Sequence, residues 1–230
     1  FADYEVFIRN DKDTLYRPMC GTIYKTISLE TQRGCPFKCS FCNSASNNPL
    51  YKEETGSTFF RKKDMSRLAE ELDYMISTIN PELVYFVSDV FLLMTDREFD
   101  EFYEVYSSYK IPFFMQTRSE TITEYRVRKL EELNCLRANV GLEHGNEQFR
   151  RDVVKRKLKD VEITRAFNII GDSSISTAAN NIIGFPTETR ELIFDTIDLN
   201  REVAQDVDSV SCFIFSPYHG VPLRDISVEK

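Results

Sequence analysis

The sequence predicts an α/β fold in which parallel strands alternate with helices along the chain. Six short segments rich in apolar and β-branched residues are separated by stretches with helical periodicity. One of them, residues 83–87, is almost continuously apolar, which is typical of a strand buried on both faces of a parallel sheet. Repeated strand–helix–strand units imply right-handed crossovers. We expect the sheet to close into a barrel-like arc, although periodicity alone also fits an open doubly wound sheet.

The first predicted strand follows a stretch without clear periodicity. Residues 1–25 are interpreted as a linker or N-terminal extension, and residues 25–31 alternate β-branched and polar side chains as a strand does. A polar loop is expected over residues 43–63. Asp64 is then positioned to cap a helix whose apolar residues recur at intervals of three and four. These apolar residues are Met65, Leu68, Ala69, Leu72, Met75, Ile76 and Ile79.

The later elements continue the same alternation to the end of the chain. Helices are predicted over residues 96–109, 122–133, 160–171 and 188–204. Strands are predicted over residues 113–117, 137–142, 177–183 and 209–215. In folds of this kind the functional residues lie at the carboxyl ends of the strands.

Length and composition favour one globular domain. The chain has 230 residues, of which 42% are hydrophobic and 29% charged, enough to bury a sizeable core. It contains no apolar run near the roughly 18 residues that a membrane span needs, and no signal peptide pattern. We therefore expect a cytoplasmic protein without a membrane span.

The charge of the chain makes a nucleic-acid partner unexpected. A formal net charge of −8 opposes binding by bulk attraction to phosphates. One dense basic run fits either a solvated helix end and loop or a contact with a phosphate or carboxylate group. This run consists of Arg150, Arg151, Lys155, Arg156, Lys157 and Lys159.

Three cysteines lie in one short segment, RGCPFKCSFCN at residues 33–43. Cys35, Cys39 and Cys42 are spaced by four and three, and the Gly, Pro and Asn around them allow a loop that points all three thiols at one centre. Clustered thiolates select zinc, copper(I) or iron–sulfur centres. A closed zinc site needs four ligands, and only three are local here. An incomplete zinc site and free thiols of a reduced protein are the alternatives.

The other cysteines are scattered singly along the chain. Cys20, Cys135 and Cys212 do not form a disulfide framework and are interpreted as small core residues. Cys20 precedes the cysteine segment closely enough to be considered as an additional ligand.

The CxxxCxxC spacing, with Phe41 directly before the third cysteine, resembles the signature of the radical S-adenosylmethionine (SAM) superfamily. The resemblance implies that Cys35, Cys39 and Cys42 hold a [4Fe–4S] cluster whose fourth iron binds the amino and carboxylate groups of SAM. Phe41 would pack near the adenine, and Asn43 would begin the segment beside it. An electron from the cluster would cleave SAM to methionine and a 5′-deoxyadenosyl radical that abstracts hydrogen.

The resemblance also implies the architecture. Members of this superfamily use a partial (β/α)6 TIM-like barrel of parallel strands, which matches the six predicted strands. Residues 26–223 would form the radical SAM core domain, and residues 224–230 a C-terminal tail.

Candidate cofactor-binding residues follow the second and third strands. Asp89 occupies the position where many members have a Gly-Gly-Glu segment that contacts the methionine amino group, although the glycines are missing here. Asp89 also fits a helix-capping or turn residue. Gln116 and Arg118 alternate with apolar neighbours and are placed to bind a carboxylate or a ribose, or to lie on the surface.

The fourth strand ends in the sequence GLEHG at residues 141–145. It resembles the G-[ILV]-E-S-G segment of a branch that includes methylthiotransferases, oxygen-independent coproporphyrinogen oxidase and cobalamin-dependent enzymes. The resemblance implies that Glu143 faces the cofactor and that Arg156 approaches the methionine carboxylate. His144 replaces the usual Ser. Such a lone His is more often structural than catalytic, and the same holds for His219.

Two further segments extend the resemblance to residue 223. NIIGFPTET at residues 181–189 matches an N-x-I-G-x-P-x-E-T pattern, which implies that the backbone at Ile183 and Gly184 lines the adenine. FSPYHGVPL at residues 215–223 resembles F-x-P-[YF]-x-G-T-P-L, with Val221 in place of Thr.

The amino-acid sequences of these segments are most similar to those of cobalamin-dependent radical enzymes. Their usual Asp-x-His-x-x-Gly ligand motif is missing, since the two histidines are His144 and His219. The chain is therefore interpreted as the radical core of a longer cobalamin-dependent methyltransferase or rearrangement enzyme, or as a cobalamin-free relative. The resemblance implies an electron donor of flavodoxin or ferredoxin type and leaves the substrate open. A methylthiotransferase-like enzyme and a non-catalytic, zinc-stabilised binding module are the alternatives.

Overall fold

A computed structural model describes residues 8–9 and 15–228. In this part of the chain, eight strands form one mixed sheet, curled into a half-barrel. Six strands are parallel and lie side by side in chain order, while the first two add an antiparallel edge. A separate ribbon pairs β4 with β5. The strands are β1 (Ile8–Arg9), β2 (Leu15–Met19), β3 (Thr22–Leu29), β4 (Gln32–Arg33), β5 (Arg61–Lys62), β6 (Leu83–Phe86), β7 (Phe113–Arg118), β8 (Cys135–Glu143), β9 (Ser176–Ile183) and β10 (Ser209–Ile214).

Helices occupy the connections between the parallel strands, as the alternating sequence pattern predicts. The helices are α1 (Asn43–Thr55), α2 (Met65–Ile79), α3 (Asp96–Tyr106), α4 (Glu124–Glu132), α5 (Glu147–Asp152), α6 (Asp160–Gly171), α7 (Arg190–Glu202) and α8 (Pro222–Val228). The fold class predicted from the sequence, a partial TIM-like barrel of parallel strands, is thereby confirmed. No helix in the described ranges is both long enough and apolar enough to cross a membrane.

The hydrophobic core fills the space between the sheet and the helices. Leu68 and Leu72 on α2 are completely buried, as the three- and four-residue apolar spacing predicts. They belong to a cluster rich in aromatic rings, in which Phe86 meets Phe113 with ring centroids 5.4 Å apart. Burying each such side chain contributes roughly 1.5–3 kcal/mol. This core fixes the strands and thereby the positions of their carboxyl ends.

Several boundaries differ from the sequence prediction. The polar segment 43–63 is not a loop, since residues 43–55 form α1. Asp64 precedes α2, but its side chain makes no capping hydrogen bond. Residues 15–25 of the predicted linker lie in the β2–β3 hairpin, while residues 1–7 and 10–14 are outside the described part.

The scattered cysteines have different environments. Cys135 is buried, as expected of a core residue, but Cys20 and Cys212 are exposed, so the core interpretation is wrong for these two. Cys20 lies in the turn before β3, whereas the cysteine segment follows the other end of that strand. An eight-residue strand is about 26 Å long, which separates Cys20 from the other thiols.

Candidate functional site

The three clustered cysteines lie on a loop just after β3 and β4. Cys35 and Cys39 are buried, and Cys42 is half-buried directly before α1. The loop turns at Gly34, whose φ of +79° favours glycine. A Cβ there would also lie 2.6 Å from the ring of Phe59. The three cysteines thus lie on one loop, as the sequence predicts, and that their thiols point at one metal centre stays a prediction.

Hydrogen bonds hold this loop against distant parts of the chain. The Ser40 N–H donates to the carbonyl of Val154 at 3.1 Å, and the Ser40 hydroxyl donates to the carbonyl of Val153 at 2.5 Å. The Ser40 carbonyl accepts from the Leu223 N–H at 3.2 Å. On the other side, the Asn48 amide of α1 donates to the Cys35 carbonyl at 2.7 Å. The loop is therefore fixed by segments that precede α6, form α1 and start α8.

Within residues 8–9 and 15–228, no three side chains of His, Cys, Asp or Glu come close enough to share a single metal ion. Cluster thiolates bind different iron atoms and do not need such convergence, whereas ligands of one zinc ion do. An iron–sulfur cluster is therefore compatible with this arrangement of the thiols.

Arg118, at the end of β7, contacts the cysteine loop directly. Its Nη1 donates to the Cys39 Sγ at 3.1 Å, and its guanidinium lies 3.8 Å from the ring centroid of Phe37. Burial raises the pKa of the Cys35 thiol to about 11, and the charge of Arg118 acts in the opposite direction. Burial also raises the pKa of Cys42. A positive charge beside buried thiols stabilises the thiolate form that a metal requires.

A chain of alternating charges runs from Arg118 into the half-barrel. The Arg118 Nε donates to Glu120 at 2.8 Å, and Arg156 bridges Glu120 at 3.0 Å and Glu143 at 3.1 Å. Burial raises the pKa of Glu143, whereas Arg156 and Arg118 act to lower it. Burial opposes the shift at Glu120, but Arg156 and Arg118 hold its pKa below the ordinary value. Gly141 leaves room for this network, because its Cβ would lie 2.3 Å from the Glu143 Oε1.

A cavity of about 160 Å³ lies between the cysteine loop and the carboxyl ends of the strands. Eight of the twelve residues predicted from the sequence line it. They are Cys35, Cys39, Phe41, Cys42, Asp89, Gln116, Arg118 and Glu143. The structure thus brings together residues that are more than 100 positions apart in the chain.

The other four predicted residues lie around this cavity without lining it. Asn43 starts α1, and Arg156 is buried behind Glu143. Gly184 follows β9 with a φ of +78°. Ile183 lines a different, apolar cavity between α7, β9 and β10.

The cavity also contains side chains that the sequence analysis missed. Ser44 donates to Asp89 at 2.8 Å, and Asn139 and Asn180 project into the cavity from β8 and β9. The buried Asn180 Oδ1 has no hydrogen-bond partner. The alternation of side chains along the strands is a signal that predicts both amides, because Asn139 and Asn180 share the face that carries Gly141.

His144 is structural rather than part of this cavity. It is completely buried and stacks on Phe149 with ring centroids 4.4 Å apart. Its Nδ1 accepts from the Asn146 N–H at 3.0 Å, so its Nε2–H donates to Glu188 at 3.0 Å. Burial lowers the pKa of His144 to about 4. Glu188 also accepts from the N–H of Gly184, which joins the GLEHG segment to the end of β9.

The basic run at residues 150–159 is divided between the core and the surface. Arg150 and Arg156 are buried and each pairs with a carboxylate, Arg150 with Asp160 at 2.6 Å. Arg151 and the three lysines of the run are exposed. Two members of the run thus contact carboxylates of this chain, and the other four are exposed as a solvated segment would be.

Comparison with known proteins identifies the family. The family model of the Radical SAM superfamily matches residues 29–199. An uncharacterized methyltransferase of Pyrococcus horikoshii is 26% identical over 204 residues, covering 86% of this chain and 41% of the relative. An anaerobic magnesium-protoporphyrin IX monomethyl ester cyclase of Cereibacter sphaeroides is 24% identical over 223 residues, covering 94% of this chain and 34% of the relative. The chain therefore spans well under half the length of these relatives.

A solved structure shows the same fold. It is the radical SAM methyltransferase TsrM of Kitasatospora setae with cobalamin and a [4Fe–4S] cluster bound. It superimposes with a TM-score of 0.69 at 14% identity, covering 87% of this chain and 36% of TsrM. The family match over most of the chain, together with this fold, shows that the chain belongs to the Radical SAM superfamily.

Proposed function

We propose that this chain is the catalytic core of a radical SAM enzyme in which Cys35, Cys39 and Cys42 hold a [4Fe–4S] cluster and the adjoining cavity holds SAM. The observation that carries the proposal is the meeting of three thiols with the strand-end cavity, where Arg118 donates to Cys39. Three thiolates suit an iron–sulfur cluster and leave one iron open for a further ligand. The unpartnered Asn180 Oδ1 is an acceptor suited to a donor group of SAM.

The residues around the cavity have separate roles in this proposal. Asp89 and Glu143 would accept from the amino or hydroxyl groups of SAM, and Gln116 would add an amide. Arg118 would hold Cys39 in place through its hydrogen bond to the thiol sulfur, while Arg156 would neutralise Glu143 and orient it.

The remaining predicted residues would enclose the cofactor. Phe41 would pack beside the adenine, and Asn43 would begin the helix next to it. The backbone at Ile183 and Gly184 would border the adenine edge. When bound between these residues, the cluster and SAM would together supply a one-electron reduction and the removal of a hydrogen atom from the substrate.

The full-length protein is proposed to be a cobalamin-dependent methyltransferase or rearrangement enzyme. TsrM holds cobalamin and shares the fold, and one relative is described as a methyltransferase. The chain spans only about two fifths of that relative, so a cobalamin-binding part would lie elsewhere in a longer protein. A cytoplasmic donor of the flavodoxin or ferredoxin type would supply the electron.

Anaerobic reconstitution with iron and sulfide tests the proposal. After reduction, we expect a [4Fe–4S]⁺ electron paramagnetic resonance signal that SAM perturbs, and 5′-deoxyadenosine in the same sample. Substituting alanine for Cys35, Cys39 or Cys42 should abolish cleavage of SAM, since each change removes one of three ligands. Cys212→Ala is the matched control, because Cys212 is exposed and lies outside the cavity. Normal cleavage by any one of the three loop variants would refute the ligand assignment.

Glu143→Gln separates cofactor binding from cluster assembly. The substitution keeps the size of the side chain and removes its charge, so we expect weaker SAM binding with unchanged iron content. Equilibrium titration of SAM by the change in the electron paramagnetic resonance signal measures this. Unchanged affinity would remove Glu143 from the proposed site.

A further inference from the structure

The inner face of the half-barrel is lined by polar side chains below the cavity. Strand alternation and register place Arg137 on the same face as Gln116 and Asn139, which line the cavity. Ser176 lies opposite Arg137 on β9, and Ser209 lies one strand further on β10. None of these five side chains is fully buried. Phe114, which lies opposite Arg137 on β7, is buried.

Arg137 shares this inner face with a second cation, since Arg17 stacks on Tyr85 and Phe114 of the same face. The hydrogen-bond partners of Arg137 are neutral. Its Nη2 donates to the Ser209 hydroxyl at 2.6 Å, and its Nη1 donates to the Ser176 hydroxyl at 3.3 Å. Its Nε contacts the Asn139 Oδ1 at 3.4 Å. Over residues 8–9 and 15–228, no carboxylate lies within 4.0 Å of its guanidinium.

The arginines that are buried in the described part of the chain are paired differently. Arg118, Arg126, Arg150 and Arg156 each contact a carboxylate, at distances of up to 3.1 Å. Removing a guanidinium from water costs desolvation free energy. Hydrogen bonds to neutral groups offset only part of this cost. The half-buried Arg137 therefore carries a charge that an anionic ligand would compensate.

The position of Arg137 relates it to the proposed reaction site. It precedes Asn139 by two residues on β8, which corresponds to about 7 Å along the strand. Its Nε contacts that same cavity-lining amide. A ligand on Arg137 can thus extend upwards into the cavity, and the planar guanidinium favours bidentate binding of oxyanions.

We propose that Arg137 is a substrate-positioning residue that binds an oxyanion, a carboxylate or a phosphate, of the substrate. Ser176 and Ser209 hold the guanidinium in place, and the reacting end of the substrate lies above it in the cavity. The identification of the ligand as substrate rests on the proposed function, whereas the anion site itself rests on the geometry of Arg137.

Chemical modification of the full-length, reconstituted protein tests the anion site without turnover. Phenylglyoxal modifies accessible arginines, and mass spectrometry of peptides gives the rate at each residue. Succinate and inorganic phosphate are the anionic probes, and succinamide is the uncharged control. All samples contain excess SAM and equal ionic strength. At a probe concentration near ten times its Kd, modification of Arg137 should slow about tenfold, while the exposed Arg97 should be unaffected.

The two anions distinguish carboxylate from phosphate binding, since the better probe identifies the preferred group. Equal effects of all three probes at Arg137, or equal protection of Arg97, would overturn the proposal. Failure of SAM cleavage in the same protein would refute the proposed function and would leave this binding result unaffected.

Variants separate anion binding from a merely structural role. Succinate or phosphate should raise the unfolding temperature of the wild type more than succinamide does, and Arg137→Gln should lose this difference. Ser209→Ala removes one hydrogen bond of Arg137 but keeps its charge, so it should retain the difference. An anion-specific effect that persists in Arg137→Gln, or one that disappears equally in both variants, contradicts the proposal.

Discussion

Replacing Arg156 by Met tests the buried charge network most sharply. Arg156 is 1% exposed and joins Glu120 and Glu143, which lie on different strand ends. Methionine fills a similar volume without charge, so the variant leaves both carboxylates without this partner. Removing one member of a buried ion pair typically costs about 3–5 kcal/mol. For a chain of this size, that corresponds to a fall in unfolding temperature of about 6–20 °C.

The pH dependence of the unfolding free energy identifies why the Arg156→Met variant is less stable. Without Arg156, the folded-state pKa values of Glu120 and Glu143 should rise, because burial then dominates. A carboxyl whose folded pKa lies above its unfolded pKa stabilises the fold at low pH and loses that contribution as pH rises. The variant should therefore be destabilised more at about pH 8 than at about pH 5.

Thermal and urea unfolding at both pH values measure the effect. Arg151→Met is the matched control, because Arg151 belongs to the same basic run but is 44% exposed. We expect less than about 0.5 kcal/mol from this control. The Arg156→Met/Glu143→Gln double variant should recover part of the loss. A neutralising role for Arg156 would be refuted if the loss of stability in Arg156→Met were the same at both pH values. It would also be refuted if that loss were no larger than in the control.

Two other changes test the packing around the GLEHG segment. Because burial holds the pKa of His144 near 4, its contribution to stability is complete above about pH 6.5 and is lost as pH falls towards 4, by roughly 3 kcal/mol. Urea unfolding from pH 7 to 5 should show a weaker pH dependence in His144→Gln, and an identical dependence contradicts this. Gly145→Ala should cost about 3 kcal/mol or more, because its Cβ would lie 2.1 Å from the Asp195 carbonyl oxygen. Gly56→Ala meets open space and should cost about 1 kcal/mol, so equal losses would disprove the close contact.

The parallel strands and α2 were predictable because the burial that stabilises them appears as a local pattern of apolar residues. Residues 83–86 are apolar in sequence since both faces of β6 are covered, and Leu68 and Leu72 recur at helical spacing since one face of α2 is buried. In such elements, the apolar pattern and the burial that it predicts coincide.

Helix α1 was not predictable from such a pattern, because its partners are polar and distant. Ser44 is its buried residue, and Pro49 lies inside it. Hydrogen bonds from Ser44 to Asp89 and from Asn48 to the Cys35 carbonyl fix it instead. These contacts depend on the tertiary fold and leave no periodic signal in the sequence.

The candidate site also contains residues that the sequence predicts and residues that only the tertiary structure reveals. The thiols of Cys35, Cys39 and Cys42 are close in sequence, so their spacing alone indicates a shared centre. The role of Glu120 could not be inferred, since it depends on Arg156, 36 residues away. The unpartnered Asn180 Oδ1 likewise becomes visible only when the strands are placed side by side.

The hydrogen bonds of Ser40 have a consequence for biosynthesis. The cysteine loop is made early, but its contact with Leu223 requires a residue that is added about 180 positions later. At a typical rate of about 5–20 residues per second, translation takes about 9–36 s to reach that residue. During this interval the nascent loop lacks one of its fixing contacts. Insertion of the proposed cluster into a loop with all of these contacts is thus expected after Leu223 has left the ribosome.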